Sequence, residues 1–129
     1  MTSIDVLFES DYADAQVREA VAEVVGVSGK DVLVIHDVSG YLQRASEQVV
    51  CLIHNFPEGF RQLLTIDCRK DLNVENVVCR LSSILSVRCL LPADQPNPYA
   101  VRLILPDGEV SDVYVDASAL DGRGVYILK

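Results

Sequence analysis

Residues 50–67 read VCLIHNFPEGFRQLLTID, and residues 101–116 read VRLILPDGEVSDVYVD. Each segment contains an apolar run, a turn of the form Pro-acidic-Gly and a second run that ends in aspartate, and the first segment is two residues longer. Turn residues between two short apolar runs are typical of a β-hairpin. The two segments therefore predict two similar hairpins, and the rest of the fold is built around them.

A helical pattern and one more strand precede each hairpin. Residues 13–25 and 74–85 carry apolar side chains three and four residues apart, which is the spacing of an amphipathic helix. Residues 31–36 and 87–91 are short apolar runs that favour strands. In residues 48–56 both alternating sets of side chains are apolar, which predicts a central strand covered on both faces.

The chain is predicted to form one α+β domain, residues 1–129, in which the order α-β-β-β occurs twice. The pseudo-repeats span residues 11–68 and 71–117, as a tandem duplication would produce. A first strand precedes them, and a last strand at 125–128 follows a turn at 121–124. Their connections are too short for parallel crossovers. We expect two helices and a mainly antiparallel sheet of about eight strands, in the order β-α-β-β-β-α-β-β-β-β, arranged as one sheet or as two packed sheets.

The composition favours a cytoplasmic protein with basic partners. The chain has 129 residues, a net charge of −8 and a pI near 4.5. It lacks an apolar run of the roughly 20 residues that a membrane span needs, and its start lacks the charged and apolar regions of a secretory signal. Acidic residues are concentrated in residues 1–43 and 103–129. This distribution attracts basic partners and repels nucleic acid and anionic membranes.

The four cysteines are predicted to be reduced core residues. Cys51, Cys68, Cys79 and Cys89 each lie within an apolar run, far apart and without a CxxC pair. Zinc and redox sites usually use closely spaced cysteines, whereas a free buried cysteine packs as a small hydrophobic side chain. Neither a metal nor another cofactor is expected.

His36 and His54 are the candidates for enzymatic chemistry. They fall on strands predicted to be neighbours, joined by a loop centred near residues 42–45, and Asp37 and Cys51 are close to them in sequence. Two imidazoles and a carboxylate would suit acid–base catalysis or a zinc or iron site. No HxH, HxxxH or HExxH spacing supports this arrangement. A small hydrolase or metal-dependent enzyme is therefore an alternative, and a non-catalytic function is favoured.

Other motifs for chemistry are missing from the sequence. Asp107, Glu109 and Asp112 lack the ligand order of an EF-hand loop, and the chain has no GxSxG, GxGxxG or P-loop motif. Six basic residues in the middle of the chain could form a local patch, but no aromatic residues alternate with them to stack on bases. They are Arg61, Arg69, Lys70, Arg80, Arg88 and Arg102.

In size, acidity and α+β pattern the chain resembles the small immunity proteins that bacteria encode beside polymorphic or contact-dependent toxins. The resemblance covers the whole chain and rests on this profile, with no specific motif. It implies a protein that neutralises a cognate toxin, typically a basic nuclease, by covering the toxin's active site with acidic side chains. The partner-binding residues that it implies are Asp11, Asp14, Glu19 and Glu23 on the first helix, and Asp107, Glu109 and Asp112 at the final turn.

The chain also resembles type III secretion chaperones, which are small, acidic and built from a helix, three strands, a helix and further strands. These chaperones bind an unfolded stretch of an effector. They end in a helix, whereas residues 125–128 of this chain predict a strand. This departure places the chaperone resemblance below the immunity one.

Overall fold

One mixed sheet of seven strands forms the centre of the protein. The computed structural model describes residues 1–37, 39 and 49–129. The sheet has the spatial order β2-β3-β4-β1-β5-β6-β7. Its strands are β1 Thr2–Phe8, β2 Val32–Ile35, β3 Val49–Asn55, β4 Gln62–Cys68, β5 Cys89–Pro92, β6 Ala100–Ile104 and β7 Val110–Tyr114. The helices are α1 Asp14–Val25, α2 Val74–Leu85 and α3 Ala117–Arg123, and a 3-10 turn spans Gly29–Asp31.

The predicted α+β class is confirmed, and the strands form one sheet. The number of elements differs from the prediction, since the structure has three helices and seven strands among its described residues. The predicted last strand is wrong, because within 125–128 only Leu128 forms an isolated bridge, to Val115. The predicted turn at 121–124 is largely the end of α3. The Asp116 side chain caps this helix by accepting the Ala119 N–H at 2.8 Å. A helix of seven residues that contains Gly122 is too short to show a helical period.

The sheet departs from antiparallel pairing at one edge. Strand β2 pairs with β3 in parallel, from Val32 opposite Val49 to Ile35 opposite Leu52. All other pairs of the seven strands are antiparallel. The connection from β2 to β3 is therefore not a hairpin, and the loop predicted near residues 42–45 lies outside the described residues.

The two predicted repeats agree in their hairpins and differ in their first strands. Strands β3 and β6 run in the same direction as β1, and strands β4 and β7 run in the opposite direction. The first strands of the two units are β2, which is parallel to β1, and β5, which is antiparallel to it. The order α-β-β-β is thus observed twice, with one strand reversed.

Helices α1 and α2 cover one face of the sheet and form the main core with it. The core includes Val17 and Val21 of α1 and Val78 and Leu81 of α2, which pack with inward-facing residues such as Ile66 of the strands. On the other face, α3 and the segment that follows it contribute Leu120, Tyr126 and Leu128 to a second cluster. The prediction of a central strand covered on both faces is confirmed only at its start, where Val49 and Val50 of β3 are both fully buried. Farther along the second face, Leu52 is partly exposed and His54 is exposed.

Gln62 connects the start of α1 to the sheet. Its side chain is 1% exposed, its Oε1 accepts the Tyr12 N–H at 3.3 Å, and its Nε2 donates to the Tyr12 carbonyl at 3.1 Å and to Asn55 Oδ1 at 3.2 Å. The Tyr12 hydroxyl in turn donates to the Leu85 carbonyl at the end of α2. The buried Gln62 amide therefore holds Tyr12 against the sheet, and Tyr12 in turn contacts the end of α2.

Substitution Gln62→Leu is expected to destabilise the fold by about 1–3 kcal/mol, because it leaves the partly buried N–H and carbonyl of Tyr12 without their partners. Urea unfolding followed by circular dichroism measures the change. The control is Gln95→Leu, an exposed position where we expect a change within about 0.5 kcal/mol. Equal losses in the free energy of unfolding at the two positions would show that the hydrogen bonds of the Gln62 amide make no specific contribution to stability.

Candidate binding surfaces

The predicted acidic residues lie in two separate places. Residues 11–23 belong to α1 and its approach, and residues 107–112 belong to the turn between β6 and β7 and to β7 itself. Helix α1 packs against β2 and α2, whereas α2 packs against β1 and β6. Helix α2 therefore lies between the two acidic groups, and the structure does not join them into one site.

Four of these acids have partners within the chain. Both carboxylate oxygens of Asp14 lie 2.9 Å from His36 Nε2, and Asp11 lies 3.9 Å from Arg61. Asp112 lies 3.7 Å from Arg102, and Asp107 accepts the Glu109 N–H at 2.9 Å within the turn. Part of the negative charge at these positions is thus offset internally or used to shape a turn.

Glu19 and Glu23 are different, because neither forms an ion pair with another described residue. Both are exposed and stand one helical turn apart on α1. They line a groove of about 240 Å³ between α1 and α2, called the α1–α2 groove here, whose other lining residues are Gln16, Ala20, Ile84 and Leu85. Ile84 is 41% exposed. The groove combines an exposed apolar side chain with two carboxylates that have no ion-pair partner in the described part of the chain.

The structure does not bring His36 and His54 together. His36 contacts Asp14 of α1, on the face of the sheet that the helices cover. Cys51 and Ile53 of β3 belong to the core on that face, so the alternation of side chains places His54 on the opposite face. There the His54 ring meets Phe56 edge to face, with ring centroids 4.8 Å apart. Among the described residues, no three His, Cys, Asp or Glu side chains are grouped so as to hold a metal ion.

Most of the predicted basic patch is divided among separate contacts. Arg80 Nη1 donates to the Val24 carbonyl at 3.1 Å, and Lys70 Nζ donates to the Val25 carbonyl at 3.4 Å. These carbonyls are at the C-terminal end of α1, whose last turn has no basic residue of its own, so the two cations cap that helix from outside. The other partners are Asp11 for Arg61, Glu9 for Arg88, and Glu75 for Arg102.

Three of the four cysteines are core residues, as predicted, and the fourth packs at the edge of the core. Cys51, Cys68 and Cys89 are buried, Cys79 is partly exposed, and all four are free thiols. Burial, reinforced by the nearby Asp67, raises the pKa of Cys51 to about 12. Burial likewise raises the pKa of Cys89 to about 12 against the opposing hydrogen bond from Ser82. These thiols are protonated at neutral pH and unsuited to nucleophilic or metal chemistry.

One feature that the sequence did not predict is a pocket of about 340 Å³ on the face opposite α1 and α2. Its floor is Leu7, Leu63, Leu90 and Val101, one residue from each of four adjacent strands. The alternation of apolar residues placed these side chains on one face. It did not indicate that α3 and the C-terminal segment leave this part of the face open.

Comparison of the chain with protein-family models, with curated proteins and with solved structures finds no match. Within the described part of the chain, every helix is too short or too polar to cross a bilayer. The functional interpretation therefore depends on the surfaces described above.

Proposed function

We propose that this protein is a non-catalytic binding domain that acts as an immunity protein and neutralises a basic toxin domain. The observation that carries the proposal is the pair Glu19 and Glu23, which stand exposed in the α1–α2 groove without a cation among the described residues. Like charges one turn apart on a helix slightly destabilise it. A positively charged partner surface would relieve that repulsion.

The α1–α2 groove suits a folded basic partner. Lysine or arginine side chains of the partner would pair with the two carboxylates, and the exposed Ile84 would supply apolar contact between them. The net charge of −8 would speed the encounter by long-range attraction. A nuclease carries positive charge where it binds its substrate, so an acidic inhibitor can occupy the same surface.

The remaining predicted contacts have a smaller expected effect. Asp11 and Asp14 extend the acidic surface toward the start of α1, but Asp11 has Arg61 beside it and both oxygens of Asp14 lie within hydrogen-bond distance of His36. Asp107, Glu109 and Asp112 form a second acidic area at the β6–β7 turn, where Arg102 lies beside Asp112. We therefore place the main contact at Glu19 and Glu23.

A chaperone of the type III secretion kind is a second candidate, and α3 supports it. The strand predicted at residues 125–128 counted against this resemblance. The structure has only an isolated bridge at Leu128, and the helix Ala117–Arg123 comes before this segment. A chaperone would bind an unfolded segment of an effector rather than a folded domain. The hydrolase alternative has lost its geometric basis, since His36 and His54 contact different partners on opposite faces.

Charge reversal in the α1–α2 groove is expected to weaken the complex by about 100-fold, at roughly ten-fold for each charge. The tagged protein would be used to capture partners from a lysate of its source organism at low and high salt, with mass spectrometry to identify them. We expect a basic nuclease domain that binds at low salt and is released at high salt. The variant Glu19→Lys/Glu23→Lys should no longer capture this nuclease domain.

The matched control is Asp94→Lys/Glu109→Lys, which makes the same change in net charge at two exposed positions outside the α1–α2 groove. We expect it to keep most of the binding and to unfold at the same temperature as the first variant. Loss of binding only in this control would move the site to the β6–β7 turn. Capture of a single unfolded secreted protein would favour the chaperone function, and unchanged binding by the groove variant would reject our assignment.

A further inference from the structure

The pocket on the open face of the sheet has the size and lining of a small-molecule site. Its volume of about 340 Å³ and its floor of Leu7, Leu63, Leu90 and Val101 fit sites that bind ring-sized apolar groups. Pro92, Ala93 and Pro98, in and after β5, form part of the rim, and Tyr126 of the C-terminal segment adds an aromatic ring. Leu63 is partly exposed, whereas Leu7, Leu90 and Val101 are buried and form the base of the pocket. A concave lining that is mostly apolar favours a ligand with an apolar face.

Asp5 gives this pocket a definite charge preference. Among the described residues it is the one charged side chain in the lining, and the other polar groups are the amides of Gln95 and Asn97 and the hydroxyl of Tyr126. Asp5 stands opposite Thr65 in the β1–β4 pair, and its Oδ1 accepts the Thr65 hydroxyl at 2.7 Å. No described lysine, arginine or histidine forms an ion pair with Asp5.

We propose that this pocket binds a small organic cation, in which a primary amine is carried on an apolar ring. The ring would lie on the four apolar side chains and the ammonium group would pair with the Asp5 carboxylate. The hydrogen bond from Thr65 holds that carboxylate in place before the ligand arrives, which lowers the entropy lost on binding. The aromatic ring of Tyr126 adds a surface that attracts cations.

This site is independent of the proposed function. The α1–α2 groove lies on the helix layer, whereas the pocket lies on the opposite face of the sheet. A toxin domain bound at the groove would leave the pocket open, and failure of either proposal leaves the other unaffected.

The test uses two ligands that share an indole ring and differ in charge, tryptamine and indole-3-propionate. Each is titrated into the protein while NMR follows the methyl signals of leucine and valine. We expect tryptamine to shift the signals of Leu7, Leu63, Leu90 and Val101 with a Kd of about 1 mM, and indole-3-propionate to bind about ten-fold more weakly.

Substitution Asp5→Asn should weaken tryptamine binding about ten-fold and leave indole-3-propionate unchanged or slightly tighter. The matched control is Asp67→Asn, which removes a carboxylate from the same face of the neighbouring strand, outside the pocket lining. This control should bind tryptamine as the wild type does. Equal affinity for the two ligands, or no saturable shift with tryptamine at millimolar concentration, would overturn the proposal even if Asp5→Asn failed to fold.

Discussion

Substitution Gly59→Ala is expected to destabilise the protein by about 3 kcal/mol or more, whereas Gly108→Ala should cost about 1 kcal/mol. The two glycines occupy the same position in the two Pro-acidic-Gly turns, and both have left-handed backbone angles, with φ of +72° and +91°. The strain of placing alanine in that conformation is therefore similar at both sites. The difference comes from what surrounds each Cα atom.

Gly59 lies directly against the C-terminal segment. A Cβ at this position would overlap the Tyr126 carbonyl oxygen and lie 3.0 Å from its carbonyl carbon, whereas a Cβ at Gly108 would meet nothing within 4 Å. The Tyr126 carbonyl accepts the Phe60 N–H at 2.8 Å, so displacing it also breaks a hydrogen bond. The same turn pairs Glu58 with Arg123 of α3 at 2.7 Å.

The measurement is urea unfolding of both variants, together with the NMR signals of Tyr126 and Leu128. We expect Gly59→Ala to shift these signals because the C-terminal segment moves away from the turn, and Gly108→Ala to leave them unchanged. Equal destabilisation by the two substitutions would mean that backbone strain alone decides the outcome, and that the contact with Tyr126 contributes little.

Alkaline pH is expected to destabilise the fold through its two deeply buried thiols. In the folded protein the pKa of Cys51 and of Cys89 is raised to about 12, from an ordinary value of 9.0. Above about pH 9 the unfolded chain loses protons that the folded chain retains, so unfolding becomes more favourable as pH rises. Each thiol contributes about 1.4 kcal/mol per pH unit in this range. The two together cost about 4 kcal/mol by pH 10.5.

A double variant, Cys51→Ala/Cys89→Ala, isolates this effect. Other groups ionise in both proteins, so the informative quantity is the difference in the free energy of unfolding between wild type and variant. That difference should stay constant below about pH 8.5 and then change steadily in favour of the variant. Parallel pH profiles for the two proteins would show that the thiols ionise in the folded state as easily as in the unfolded chain.

The parts of the fold that were predicted correctly depend on short-range patterns. The predicted limits of α2, residues 74–85, agree with the observed ones, because its apolar stripe spans the whole helix and Asn73 caps its start. The hairpin β6–β7 follows from the turn residues Pro106, Asp107 and Gly108. Helix α3 and the parallel pairing of β2 were missed. Helix α3 is too short to show the helical period of apolar residues. The direction of β3 relative to β2 depends on the end of the sheet at which β3 begins, and the local sequence of either strand does not indicate it.

The same limit applies to the candidate sites. The acidic residues were identified from composition, but composition could not show that Asp14 contacts His36 while Glu19 and Glu23 form no ion pair with any residue that the structure describes. The pocket beside Asp5 was missed for a related reason. Its floor comes from β1, β4, β5 and β6, which are distant in sequence and adjacent only in the sheet.

The sequence by itself determined the α+β class, the two helices of the core, the two hairpins and the burial of three of the four cysteines. These features depend on the spacing of apolar residues and on turn chemistry within about 20 residues, and such local preferences act before any tertiary contact forms. Only the tertiary structure decided that Gly59 faces Tyr126 while Gly108 faces solvent, and that the two histidines lie on opposite faces. Those outcomes depend on contacts between distant segments, for which the chain carries no local signal.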